Sequence, residues 1–127
     1  MTYGIKKKSD ASFTDTIERV KAALAEEGFG VLTDIDVAET LKKKLDVSWD
    51  AYRILGACNP KLAYRALTAD REIGLLLPCN VIVYEEDGSV FVSAILPSAA
   101  MAAVDSDDIR AVAEEAEEKL RRVIERV

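Results

Sequence analysis

Asp87-Gly88 does most to narrow what this chain can fold into. The pair stands between two apolar-rich stretches, one ending at Glu86 and the other running from Ser89 to Leu96. A two-residue Asp-Gly connection favours a type I′ turn, whose twist matches that of the strands it joins. The turn sets a register: Val83 faces Val92, Val81 faces Ala94 and Cys79 faces Leu96 on one side. Tyr84 opposite Phe91 and Ile82 opposite Ser93 form the other side. Both sides are apolar, whereas a sheet with one solvated face is polar there. Helices must therefore cover both faces, or a partner must cover one.

Upstream of the turn, Ile73 to Glu86 is too long for a simple strand. Pro78 lacks an N–H and belongs at an edge, a bulge or a break. Tyr52 to Cys58 reads as a strand with Gly56 inside it, and an interior glycine marks a bulge or a close backbone approach. Asn59-Pro60 then starts a helix, with Asn as the cap and Pro at N1, where its missing N–H is harmless. Leu62, Ala63, Ala66 and Leu67 form its apolar stripe, and the small alanines suit close packing on a sheet.

The flanks complete the pattern. Tyr3 to Ser9 reads as a first strand whose lysines suit a sheet edge. Ser12 caps a helix over 13–27 with Phe13, Ile17, Val20 and Leu24 on one stripe and Gly28 as its stop. Phe29, Val31, Thr33, Ile35 and Val37 alternate as a strand. Asp36 and Glu39 fit the cap and N3 of a short helix that exposes Lys42, Lys43 and Lys44. Those lysines read either as an anion patch or, more plainly, as cations that complement a helix C-terminus. Ser98 to Val104 reads as a turn of helix or an ordered loop. A last helix begins near Ser106 and carries Ile109, Val112, Ala113, Ala116, Leu120, Val123, Ile124 and Val127 on one stripe. Glu115/Lys119, Glu117/Arg121 and Glu118/Arg122 are spaced as i,i+4 pairs. The order β-α-β-α-β-α-β-β-α, with one good hairpin, gives an α+β fold: an antiparallel or mixed sheet with helices mainly on one face.

Composition bounds the chemistry. At 127 residues the whole chain is expected to form a single domain. The net charge of −6 argues against nucleic acid as a partner, because phosphate neutralisation supplies most of that affinity. The absence of histidine removes His-based acid–base catalysis, Ser-His and Cys-His nucleophiles and imidazole metal sites. The two cysteines lack zinc spacing. The opening residues lack the apolar core of a signal peptide, and no apolar run is long enough to span a bilayer. The expected setting is cytoplasmic, with reduced thiols and no membrane partner.

The candidate site is Cys58, Asn59, Pro78, Cys79 and Asn80. Each cysteine is followed by an asparagine. Cys58 just precedes a helix N-terminus, where a thiolate is stabilised. Cys79 follows a strand-breaking proline, and neighbouring strands would bring the sulfurs together. One reading is a dithiol site for redox chemistry, a soft metal or an electrophilic small molecule. The plainer reading is two small buried residues. If any residues hold a metal, they are Cys58 and Cys79; no cofactor is specified. Asp34 and Asp36 form an i,i+2 acid pair or, more simply, a strand end and a cap.

Gly56-Ala57-Cys58-Asn59-Pro60 with Ala63 and Ala66-Leu67, followed by Leu76-Leu77-Pro78-Cys79-Asn80-Val81, resembles the domain-of-unknown-function 302 family. The likeness runs over nearly the whole chain. It implies a curved sheet backed by helices, of the TATA-binding-protein-like type, often as a homodimer, and it implies no activity. Three functions stay open: a small-ligand or thiol-based binding module, a structural or regulatory homodimer without ligand, and a thiol-dependent enzyme.

Overall fold

The computed structural model describes residues 2–127. Five antiparallel strands form one sheet in the order β1-β5-β4-β3-β2. They are β1 Gly4–Ser9, β2 Gly30–Asp36, β3 Tyr52–Cys58, β4 Cys79–Glu86 and β5 Ser89–Ile95. The helices are α1 Phe13–Glu26, α2 Val37–Leu45, α3 Pro60–Ala69, α4 Pro97–Ala100 and α5 Asp107–Arg126, with a 3-10 segment at Arg71–Leu76. The α+β class, the element order and the long final helix match the sequence reading. Every strand pair is antiparallel, so the mixed alternative falls away.

Local chemistry sets each boundary. Asp87 and Gly88 both have positive φ, 51° and 79°, as a type I′ turn requires. The turn fixes the expected pairs Val81/Ala94, Ile82/Ser93, Val83/Val92 and Tyr84/Phe91. The Ser12 hydroxyl accepts from Asp15 N–H at the start of α1. The Ser106 hydroxyl accepts from Ile109 N–H at the start of α5. Each satisfies an amide that the helix itself leaves unpaired.

Several expectations are corrected. The hairpin ladder ends at Val81/Ala94, so Cys79 does not face Leu96. It pairs with Ala57 of β3, while Leu96 N–H donates to the Tyr3 carbonyl. A register shift between Val31 and Thr33 breaks the alternation of β2, so Val31 pairs with Ala57 but Thr33 with Gly56. Leu67 lies on the exposed side of α3, leaving Leu62 and Ala66 as its buried positions. Glu115 pairs with Arg65 rather than Lys119, and Arg122 pairs with Glu27 rather than Glu118. Of the expected α5 pairs, Glu117/Arg121 is present. Asp34 is no half of an acid pair: it receives Arg53 through two nitrogens, and its carboxyl is held below the usual range mainly by that hydrogen bond. Asp36 caps α2 by accepting from Glu39 N–H.

The core forms two clusters. The larger joins Leu55, Ala57, Cys79, Val81, Val83, Val92 and Ala94 of the sheet to Ile17, Val20 and Leu24 of α1 and Leu120, Val123 and Ile124 of α5. The smaller joins Leu62 and Ala66 of α3, Ile73 and Met101 to Ile109, Val112, Ala113 and Ala116 of α5. On the other side of the sheet, Tyr52, Ile54, Ile82, Tyr84 and Phe91 are only half-buried. Tyr52, Tyr84 and Phe91 stack in sequence with centroids 5.5 Å apart. Lys6 Nζ lies 4.4 Å from the Phe91 ring centre, so its cation meets the electron-rich ring face.

Candidate functional site

The two core clusters do not meet flush. Where β3 ends and β4 begins, a cavity of about 30 Å³ remains between the sheet, α3 and α5. Its walls include Phe29, Ala57, Cys58, Asn59, Leu62, Ala63, Ala66, Leu77, Pro78, Cys79, Met101, Val112, Ala113 and Ala116. Small side chains leave the space: Ala57 on the sheet, Ala63 and Ala66 on α3, and Ala113 and Ala116 on α5.

Four of the five candidate residues line this cavity. Cys79 is buried, and burial pushes its thiol up to about 11, with the neighbouring Cys58 contributing in the same direction. Cys58 is half-buried at the end of β3, just ahead of the first turn of α3. Pro78 follows a cis Leu77–Pro78 bond and precedes β4. It also closes over Gly56, where an added Cβ would lie 2.9 Å from Pro78 Cγ and 2.2 Å from Thr33 Oγ1. The interior glycine therefore marks a close approach.

Asn59 is spent on structure. Its Oδ1 accepts from Leu62 N–H at 3.3 Å, and its Nδ2 donates to the Glu27 carbonyl at 3.2 Å. The first bond caps α3; the second ties that cap to the end of α1. Glu27 holds the same corner by pairing with Arg122 and Arg126 of α5 at 2.9 and 3.0 Å. Its carboxyl is held below the ordinary range chiefly by the Arg122 hydrogen bond. Asn80 stands apart from this cavity. It pairs with Gly56, is exposed, and borders the shallow depressions outside.

Met101 is the wall residue that sequence reasoning passed over. It follows α4 and is buried. Its signal was its place as an isolated sulfur in an alanine-rich segment. Among the described residues, no cluster of three His, Cys, Asp or Glu is arranged to hold a metal. None of their helices is long and apolar enough to cross a membrane.

The fold is thus an open antiparallel sheet backed by α1 and α5, with a sulfur-lined cavity at one end. The chain belongs to the family described as "Domain of unknown function DUF302", whose profile matches residues 5–127. It is similar to a solved structure from Bacillus stearothermophilus described as an uncharacterized conserved protein of that family. The two share 28% identity with a TM-score of 0.92, over 99% of this chain and 98% of the other. No curated protein matches.

Proposed function

We propose that the chain is a non-enzymatic binding module whose cavity, walled by Cys58, Asn59, Pro78 and Cys79, takes a small apolar or soft ligand. The observation that carries this reading is the cavity itself, about 30 Å³ and almost wholly apolar. That volume suits an occupant on the scale of one water molecule, yet a water needs two or more polar partners. Asn59, the one amide in the wall, already has its partners. The walls carry no carboxylate, lysine or arginine to act as a general base, which favours binding over catalysis. A cytoplasmic setting, where thiols stay reduced, suits both cysteines.

Xenon tests the reading, since it enters dry apolar cavities and needs no thiol. Methyl-detected NMR under xenon should shift Ala57, Leu62, Ala66 and Ala113 while leaving Val90 still. No shift at the cavity methyls would overturn it.

A second reading, compatible with the first, is a homodimer. Leu32, Leu45 and Trp49 are 69%, 67% and 59% exposed, and Ile35 and Val47 are also exposed along β2 and the segment after α2. Exposed apolar groups in such number mark an interaction surface. Light scattering should report two chains per particle, and Trp49→Glu should shift the population to one. Wild-type protein that stays a single chain at high micromolar concentration would refute this.

A further inference from the structure

Three of the chain's four sulfur atoms line one cavity. The chain has two cysteines and two methionines, and Cys58, Cys79 and Met101 all face the same space. They arrive from three separate elements: the end of β3, the start of β4 and the turn after α4. Ala57, next to Cys58 in the chain, is the strand partner of Cys79, and both cysteines line the one cavity where β3 ends and β4 begins.

We propose that this cavity is a Cu(I) site, with the Cys58 and Cys79 sulfurs as thiolate ligands and Met101 as a thioether ligand. The inference rests on the cavity being a binding site. Thiolate and thioether donors select soft ions, and Cu(I) is the soft first-row ion they favour together. Zinc takes four ligands drawn from thiolate, imidazole and carboxylate, and this wall supplies only two of that set. The volume fits an ion and little more. Apolar walls restrict water and favour the lower oxidation state.

Binding releases one proton from each thiol, and the metal stays Cu(I) throughout. Two thiolates and one monovalent cation leave one net negative charge. That charge falls beside the N-terminus of α3, which begins at Pro60 and favours negative charge. The buried Cys79 thiol gives up its proton only because the metal replaces it.

The test is an anaerobic titration of reduced protein with Cu(I) held by bicinchoninate, whose colour reports the copper it still holds and fades as the protein takes the metal. Wild type should take one Cu(I) per chain with release of two protons, and the loaded protein should resist alkylation at both cysteines. Cys58→Ala and Cys79→Ala should each lose more than the about 10–100-fold that an outer-shell change costs, and Met101→Leu should lose about tenfold. Circular dichroism and the xenon shifts check that each variant keeps its fold; alkylation protection of wild type needs no variant. The proposal fails if bicinchoninate keeps the copper, if both cysteine variants titrate like wild type, or if Zn(II) binds as tightly as Cu(I). Failure with copper while xenon still shifts the wall methyls would remove the metal and leave the cavity reading standing. Loss of both responses would remove both.

Discussion

Two apolar surfaces among the described residues differ in kind. The cavity at the end of β3 and β4 holds about 30 Å³ and is walled by alanines and sulfur. The outer face of the same sheet is broad and aromatic, with a shallow depression of about 570 Å³ bordered by Tyr3, Lys6, Tyr52, Ile82 and Tyr84. The first admits an ion or a very small apolar molecule. The second is open and continues toward the exposed apolar residues Leu32 and Ile35 of β2 and Val47 and Trp49 after α2. Gly56 stands at the boundary: its backbone supports the strand that walls the cavity, while the place of its missing Cβ is taken by Thr33 and Pro78. Shape and wall chemistry together, rather than apolarity alone, decide which occupant each surface suits.

The largest test of this comparison is to truncate one residue on each face of β3. Leu55 is fully buried against the helices, so Leu55→Ala should cost about 2–5 kcal/mol in urea unfolding. Ile54 is half-buried on the outer face, and Ile54→Ala should cost roughly 1 kcal/mol or less at concentrations where the protein is monomeric. Equal losses would mean that the chain packs both faces alike.

Gly56→Ala comes next. Its methyl would press on Thr33 Oγ1 and Pro78 Cγ, so either β2 or the start of β4 must move. The expected cost is about 1–3 kcal/mol, with accelerated alkylation of Cys79 as its wall loosens. A stable variant with unchanged labelling would contradict the close packing at Pro78.

Cys79 supplies a pH test. Its folded thiol titrates at about 11 because burial penalises the thiolate. An unfolded thiol ionises near 8.5. The folded state thus holds the proton more tightly, and its stability is complete below the unfolded value. Stability should fall by roughly 2–3 kcal/mol as pH rises from about 9 to 11. The readout is the difference between wild type and Cys79→Ala, because tyrosines and lysines titrate in the same window and cancel. Parallel curves for the two proteins would place Cys79 in contact with solvent.

Filling the cavity separates the two surfaces with little change in stability. Ala113→Val puts two methyl groups into the cavity from α5. Stability should change by less than about 1.5 kcal/mol, while the xenon shifts disappear and chain association is untouched. Retained xenon binding would place the occupied space elsewhere.

What could be read from the sequence followed from local chemistry. Asp87-Gly88 dictates its own backbone, so the hairpin register was legible down to Val83/Val92 and Tyr84/Phe91. Ser12, Asn59 and Ser106 each announce a helix start because their side chains accept an otherwise unpaired amide. The proximity of Cys58 and Cys79 followed from treating β3 and β4 as neighbours. What stayed hidden depends on distant packing. No local signal places the irregularity in β2 after Val31, and that shift decides which side of the sheet Thr33 and Ile35 face. Asn80 shares a motif with Cys79 but points away because alternate strand residues face opposite sides. Glu115 turns to Arg65 on α3, a partner that spacing along α5 cannot reveal. Met101 reaches the cavity only once α4 has folded the chain back toward α5.

Native mass spectrometry of freshly purified, reduced protein reads both surfaces at once, because one spectrum reports the occupants of each. The expected spectrum shows two chains, each carrying one small added mass that Cys58→Ala and Cys79→Ala abolish while the pair of chains persists. A single chain carrying nothing, or a large organic adduct that a cavity of about 30 Å³ has no room for, would contradict it.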